Sequence, residues 1–377
     1  MLITDIINYL VIVVIISTLV INKRLPLDIG MSLASTALLP FFLVGVLFPL
    51  GTFSDIIQFT IYTQFFRAEY GIGPYPYGWE QVTDFFGETV VHASSRLYSL
   101  LPLPFIDTFK SLGFYNILIY VFFITYIYSK KILSKKIILF LIFCPSVALH
   151  YSLGLRETIV ICSTLLTFLF LIEEKYILFL FYFFVLFIFK FTNAFLLIIP
   201  IAMYFIFFYE TRGYKRYIKI IIILVSSILF LVYLFNNASL IIDFLNGYRN
   251  NRYREDGVFD ITFANNFFTM FYMMILGIPK FFLNPSIFNF ENSFQAFVAI
   301  ELLFLNIFII YIFVWSFKIS KVRALYWIVS LILCGMVFSY VVENTGSIYR
   351  YRLPIYLLYI FGTVYNINYY TKNKIKN

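Results

Sequence analysis

Long apolar runs separated by short polar segments dominate the chain from one end to the other. Several runs reach the roughly 20 residues that a membrane-spanning helix needs, and the shorter ones can extend into their flanks or tilt. The pattern therefore predicts an all-α, polytopic integral membrane protein with about 11 transmembrane helices (11–12), forming one polytopic membrane domain over residues 1–377. The predicted spans lie at 2–21, 31–50, 112–128, 137–151, 158–172, 176–189, 194–209, 219–235, 297–315, 324–341 and 353–369.

Lysine and arginine clusters between the runs predict the orientation, because cytoplasmic loops carry an excess of these residues. The clusters all fall in the cytoplasm if the spans alternate and the apolar stretch 267–283 does not cross. That stretch contains Gly277, Pro279 and Lys280, and we interpret it as an interfacial or re-entrant helix. The N-terminus is then outside, and the large periplasmic loops are 51–111 and 236–296, with short interfacial helices.

Composition excludes several other classes of protein. The chain is 62% hydrophobic and 12% charged, with a mean hydropathy of +0.90, which no soluble domain matches. Its net charge of +9 does not indicate nucleic-acid binding, because the lysines lie between apolar runs. Three scattered cysteines and two histidines predict neither a disulfide framework nor a metal site. The sequence has no glycine-rich nucleotide loop, and no cofactor is expected.

The predicted topology separates arginine from lysine. It places eight of the 12 arginines outside but only three of the 16 lysines. The guanidinium group binds phosphate through two parallel N–H bonds, so an arginine-rich outer face suggests an anionic, lipid-linked ligand. The outer arginines are Arg67, Arg96, Arg156, Arg249, Arg252, Arg254, Arg350 and Arg352.

Two short polar stretches interrupt the apolar pattern. In 145–157, Arg156 and Glu157 lie at a membrane boundary, where ionisable residues are functional candidates. In 343–354, Arg350 and Arg352 precede the last span. An extended segment would place these two arginines on one face, and Pro354 favours a helix that starts at or after it. The alternative for both stretches is charged side chains that extend to the headgroups.

The two outer loops supply further candidates for ligand binding. The first contains Asp55 and Arg67, and the second is rich in arginine. Aromatic rings suit the apolar faces of sugars, although an aromatic belt at the membrane interface is the alternative. The possible substrate-binding residues of the loops are Arg67, Arg249, Arg252, Arg254, Tyr75, Tyr77 and Trp79.

With these motifs the chain resembles Wzy-type O-antigen and exopolysaccharide repeat-unit polymerases, including the EpsG-like branch. The matching features are 51–55 opening the first outer loop, Pro145–Ser146 leading to Arg156–Glu157, and 350–354 before the last span. The resemblance implies a GT-C-like fold, location in a bacterial inner membrane, and a reaction at the periplasmic face. One lipid-linked oligosaccharide donates its glycan to a second, and undecaprenyl pyrophosphate leaves. A flippase and a chain-length regulator of the same pathway are candidate partners.

Such a reaction needs cations aimed at the departing pyrophosphate and a carboxylate that accepts a proton. Our candidates for pyrophosphate binding are Arg156, Arg350 and Arg352, which would replace a metal ion. Glu157 or Asp55 is the candidate base, unless Glu157 instead orients Arg156. The competing functions are an O-antigen ligase or other lipid-linked glycosyltransferase, a polysaccharide flippase, and a structural membrane subunit.

Overall fold

The chain is helical and contains no β-strand within the residues that the structure describes. The structure is a computed structural model. It divides into two compact units, Met1–Ala194 and Phe195–Asn377. One membrane domain can contain two such units, so a single domain over residues 1–377 stays a prediction. The described residues are 2–43, 55–76, 89–101, 103–208, 242–243, 245–247, 250, 263–286, 288, 293–341 and 345–376.

Several helices of the first unit follow the predicted apolar runs closely, but the predicted span 31–50 is met by two helices, Leu27–Thr36 and Leu39–Leu43, and its last residues lie outside the described part. Four of the runs, which start at residues 2, 112, 158 and 176, coincide with helices to within one residue at each end. The helices are α1 (Leu2–Ile21), α2 (Leu27–Thr36), α3 (Leu39–Leu43), α4 (Asp55–Glu69), α5 (Thr89–Leu100), α6 (Ser111–Ser129), α7 (Lys135–Phe143), α8 (Pro145–Ser152), α9 (Glu157–Ile172), α10 (Tyr176–Phe189) and α11 (Phe191–Phe208), whose first residues end this unit.

The predicted span 137–151 is broken in two. α7 and α8 meet at Cys144 and are bent by 62°. Pro145 explains the break, because its ring disfavours the helical conformation at the preceding residue. Cys144 accordingly has ψ of 116°, and Pro145 begins the next helix. This pair is therefore a broken span or a re-entrant element, and not one straight helix.

The core of the first unit is α9. All of its residues are buried, and it packs against α10 in an antiparallel hairpin. α10 is almost wholly apolar, yet many of its side chains, such as Ile177 and Phe184, are exposed, which suits contact with lipid. Hence α9 is shielded by protein and can carry polar residues such as Thr164 and Thr167.

Contacts between helix ends agree with the sides that the lysine clusters predict. Near the start of α1, the Asp5 carboxylate accepts hydrogen bonds from Thr108 (2.8 Å) and Ser111 (3.1 Å), at the start of α6. Asp28, at the start of α2, forms an ion pair with Lys135, at the start of α7. Each contact joins two ends that the predicted topology places on the same side. Which side is cytoplasmic stays a prediction.

The second unit contains the remaining helices. α12 covers the stretch predicted to lie at the interface, and it buries Met270, Met274, Gly277 and Phe281 as one stripe against α14. A Cβ on Gly277 would lie 2.5 Å from the Ser339 hydroxyl, so the two helices approach closely there. Whether α12 crosses a membrane stays a prediction. These helices are α12 (Phe267–Leu283), α13 (Ser293–Ile319), α14 (Lys321–Val341) and α15 (Thr345–Lys376).

The prediction for the segment before the last span is wrong. α15 begins at Thr345 and continues through Pro354, so Arg350 and Arg352 lie inside a helix and not in an extended segment. Residues two apart in a helix do not share a face. Pro354 is tolerated because membrane helices can satisfy the backbone groups that a proline releases.

Several of these helices are long and apolar enough to cross a membrane. Within the described residues, four satisfy both criteria, or five if the bent pair α7–α8 counts as one span. α9, α10 and α12 are apolar but shorter. The predicted run 219–235 lies outside the described residues. The count of about 11 spans stays a prediction.

Candidate functional site

The turn between α8 and α9, residues 153–156, is held by two polar side chains. Asn116 of α6 donates hydrogen bonds from its Nδ2 to the carbonyl oxygens of Leu153 and, at 2.7 Å, Leu155. The Tyr98 hydroxyl of α5 is 2.7 Å from Asn116 Oδ1 and 3.0 Å from the Leu155 oxygen. Both side chains are fully buried, so two carbonyls outside the helices have hydrogen-bond donors in the protein interior.

Two glycines allow the turn to lie directly against α6. A Cβ on Gly113 would lie 2.3 Å from the Ser152 carbonyl oxygen, and one on Gly154 would lie 2.6 Å from the Leu112 Cβ. Real Cβ contacts are never this short, so only glycine fits at either position. The close approach brings the Asn116 amide within reach of the turn.

A buried ion pair lies directly after the turn. Glu157 begins α9, Lys190 follows the last residue of α10, and Lys190 Nζ donates to Glu157 Oε1 at 3.3 Å. Glu157 is 0% exposed and Lys190 4%. A carboxylate at a helix N-terminus and an ammonium at a C-terminus are each favoured by the helix dipole. The antiparallel hairpin of α9 and α10 brings these two ends together.

Arg156 is the last residue of the turn and the N-cap of α9. Its side chain is half-buried, and its Nε has no hydrogen-bond partner within the described part of the chain. We call Tyr98, Asn116, Arg156, Glu157 and Lys190 the α9 polar cluster. Its two cations and one carboxylate give it a formal charge of +1. A cluster of this charge is suited to an anionic ligand.

The Tyr98 hydroxyl remains a hydrogen-bond donor in this cluster. Burial raises the pKa of Tyr98 far above its usual range, and the nearby Glu157 carboxylate raises it further. Asn116 Oδ1 and the Leu155 carbonyl are both acceptors, so the neutral phenol is the form that fits.

A second feature of the first unit is a cavity of about 580 Å³ beside α4. We call it the Arg67 cavity. It joins Arg67 of α4 with Tyr75, which are two of the residues predicted to bind substrate. Gln64 and Asp107 also line it, and Gln64 Nε2 donates to the Ile106 carbonyl at 2.6 Å. The cavity thus contains a cation, a carboxylate, an amide and an aromatic ring.

The Arg67 guanidinium is fixed by neutral partners. Nη1 donates to the Tyr115 hydroxyl at 3.3 Å, and Nη2 donates to the Leu103 carbonyl at 3.2 Å. No described carboxylate lies within 4.0 Å of it, and its Nε has no partner among the described residues. Its charge is therefore available to a ligand. Tyr115 also contacts the Tyr98 ring, with centroids 6.4 Å apart, which connects the cavity to the α9 polar cluster.

The chain was compared with family models, curated proteins and solved structures. No family model, no curated protein and no solved structure matches it. The resemblance to repeat-unit polymerases therefore rests on the sequence motifs, and the case for a function rests on the residues and geometry of this chain.

Arg352 stabilises the end of α12. It is buried, and its Nη1 donates to the carbonyls of Phe281 (2.9 Å) and Asn284 (2.8 Å). The last carbonyls of a helix lack partners within the helix, so a cation is favourable there. Its guanidinium also lies 5.7 Å from the centre of the Tyr356 ring. This packing accounts for one of the three arginines predicted to bind pyrophosphate without requiring a ligand.

The remaining candidates divide between described and undescribed positions. Arg350 is half-buried in α15. Arg156 belongs to the first unit, whereas Arg350 and Arg352 belong to the second, so one site of three arginines stays a prediction. Asp55 begins α4, but its side chain lies outside the described part. The candidates that lie outside the described residues altogether are Arg249, Arg252, Arg254, Tyr77 and Trp79.

Sequence reasoning missed several residues of these sites. Lys190 is one of the three lysines that the predicted topology places outside, and sequence reasoning gave it no further role. The signal that could have found it is its position directly after the apolar helix α10. Asp107, Tyr98 and Asn116 lie in or beside apolar stretches and carry no motif. Among the described residues, no group of three or more His, Cys, Asp or Glu side chains could hold a metal ion. Metal-independent chemistry stays a prediction.

Proposed function

We propose that the protein is a membrane glycosyltransferase that polymerises lipid-linked oligosaccharide repeat units at the periplasmic face of a bacterial inner membrane. The substrates are two undecaprenyl-pyrophosphate-linked oligosaccharides. The Arg67 cavity binds the glycan, and Arg156 binds the pyrophosphate. The proposal combines the sequence resemblance with the chemistry of the first unit.

The observation that carries the proposal is the composition of the Arg67 cavity. Its volume of about 580 Å³ is within the roughly 300–1,000 Å³ typical of ligand sites. Tyr75 offers a ring to the apolar face of a sugar, while Gln64 and Asp107 offer groups that bind hydroxyls. A fixed, unneutralised guanidinium beside these groups suits a glycan linked to an anionic carrier.

In the proposed reaction, a hydroxyl of the acceptor glycan attacks the anomeric carbon of the donor. A carbon–oxygen bond forms to the acceptor as the bond from the anomeric carbon to the pyrophosphate oxygen breaks. The hydroxyl proton passes to a carboxylate, and the lipid pyrophosphate leaves as an anion beside a cation. We assign the base to Asp107, because it lines the cavity and is exposed, whereas Glu157 is buried in an ion pair.

The test is polymerisation by the purified protein from a lipid-linked repeat unit, followed by the length of the products. Arg67→Lys should raise KM by roughly tenfold or more, since a charge-assisted hydrogen bond contributes about 1.5–3 kcal/mol. Asp107→Asn should lower kcat by roughly 100-fold. A chelator should leave the rate unchanged.

Arg96→Lys is the matched control. Arg96 is also an arginine of the first predicted outer loop, but it is exposed, lies 4.8 Å above the Phe66 ring and does not line the cavity. Its substitution should leave KM and kcat unchanged. Wild-type kinetics in both the Arg67 and the Asp107 variants would reject the cavity as the site. Absence of any polymer from the wild-type protein and its lipid-linked substrate would reject the function.

A further inference from the structure

The Glu157–Lys190 pair is placed where it can control the direction of Arg156. Glu157 is the next residue after Arg156 and the first of α9. Lys190 stands at the joint between α10 and α11, with φ of −158° and ψ of 81°. Their 3.3 Å contact therefore ties the start of α9 to a helix junction 33 residues further along the chain.

The rest of the turn is already held from other directions. Asn116 fixes the carbonyls of Leu153 and Leu155 from α6, and Tyr98 fixes the latter from α5. These contacts end at Leu155. Beyond it, two hydrogen bonds hold the first turn of α9. The Val160 amide donates to the Arg156 carbonyl at 3.1 Å, and the Thr158 hydroxyl donates to the His150 carbonyl of α8 at 3.1 Å.

We propose that Glu157 and Lys190 form a positioning pair that aligns the start of α9 and thereby aims the Arg156 guanidinium at the pyrophosphate of the substrate. Lys190 is the new functional residue, and it acts through Glu157 and not by touching the substrate. This inference rests on the proposed function, because it takes the polymerase substrate as the ligand of Arg156.

Stability alone gives little reason for the pair. Moving two charges out of water costs free energy that their attraction only partly offsets, and well-packed apolar residues are often as stable or more so. The pair does give direction, because an ammonium and a carboxylate fix one arrangement of two helix ends. A site that binds pyrophosphate through one guanidinium requires such alignment, since small displacements of a charged group lower the rate strongly.

Four variants separate alignment from stability: Lys190→Met, Glu157→Gln, the double variant and Lys190→Arg. Each single neutralisation leaves one buried charge opposite a neutral group, so both should lower the unfolding temperature in detergent. The double variant removes both charges and should recover that temperature. Lys190→Arg keeps the charge and should retain most activity.

The decisive variant is Glu157→Gln with Lys190→Met. If the pair aligns Arg156, this variant should be as stable as wild type, with a kcat at least roughly tenfold lower and KM little changed, because the lost interaction acts in the transition state. The backbone amides of 160–163, which are the first with hydrogen-bond acceptors within the helix, should also exchange with deuterium faster than in wild type. Wild-type kcat and wild-type exchange at wild-type stability would overturn the inference.

An exposed pair of the same residue types provides the control. Lys175 donates to Glu173 at 2.6 Å at the other end of the α9–α10 hairpin. Neutralising both of these residues should change neither kcat nor the exchange of the amides of 160–163. The exchange measurement needs no substrate, so it tests the alignment even if the wild-type protein makes no polymer. Absence of polymer would contradict only the proposed function.

Discussion

Asn116→Leu tests how the turn before α9 is held. Leucine branches at the same atom as asparagine but neither donates nor accepts hydrogen bonds. The change removes two bonds donated to the carbonyls of Leu153 and Leu155, and one accepted from Tyr98. The Tyr98 hydroxyl still donates to the Leu155 carbonyl. The Leu153 carbonyl loses its bond from Asn116, and Tyr98 does not replace it.

The expected decrease in the free energy of unfolding follows from these contacts. A buried polar group left without a partner costs about 1–3 kcal/mol, while hydrogen bonds between membrane helices average about 0.6 kcal/mol. One unsatisfied carbonyl and two further lost bonds give a decrease of about 2–4 kcal/mol in the free energy of unfolding. Tyr98→Phe removes the hydroxyl's bonds to Asn116 and Leu155, but the Leu155 carbonyl still accepts from the Asn116 amide. We therefore expect the free energy of unfolding to fall by about 1 kcal/mol.

The assay is reversible unfolding of the purified protein in mixed micelles with increasing SDS, monitored by circular dichroism. Thr125→Val is the control on the same helix, since the Thr125 hydroxyl donates within α6, to the Val121 carbonyl at 2.7 Å. Thr125→Val should lower the free energy of unfolding by much less than Asn116→Leu does. A Tyr98→Phe variant that is destabilised as much as Asn116→Leu would refute the argument that the amide holds the turn.

Three further predictions follow from the packing and the topology. Gly113→Ala should destabilise the protein by more than about 2 kcal/mol, because the added Cβ would lie 2.3 Å from a backbone oxygen. Gly247→Ala should not, because a Cβ there would have nothing within 4 Å. Thermal unfolding in detergent compares the two variants. Arg352→Met should lower the stability by about 3 kcal/mol in the same assay, since it leaves two carbonyls at the end of α12 without their charged donor. Reporter fusions after Lys110 should score periplasmic and those after Lys321 cytoplasmic; a periplasmic signal after Lys321 would show that α12 crosses.

Helix positions could be predicted wherever an apolar run has a clear polar boundary. The start of α9 follows Arg156, and α10 lies between Lys175 and Lys190, so the change in polarity marks both ends. The bend at Cys144 was within reach of the same reasoning, because Pro145 disfavours a helical residue before it. Pro354 carries the same signal but lies inside a helix. A proline therefore indicates where a helix can break, and the surrounding packing decides whether it does.

The candidate site was less predictable, because its pairs depend on packing between distant segments. Glu157 was matched with its neighbour Arg156, whereas the ion pair in the structure joins it to Lys190. A hairpin of two antiparallel helices places the start of the first beside the end of the second, and this rule could have identified the pair. No comparable rule joins Arg67 with Asp107, since they lie far apart in the sequence and only Arg67 belongs to a described helix.

The α9–α10 hairpin is also the unit in which this part of the chain should insert into the bilayer during synthesis. α9 is only 16 residues long and begins with a charged residue, so it partitions poorly from the translocon into lipid on its own. α10 is strongly apolar and its surface is exposed, so it supplies the free energy for both helices. Charged substitutions on that exposed surface, at Phe184 for example, should therefore abolish activity by leaving α9 outside the membrane, although they touch no residue of the site.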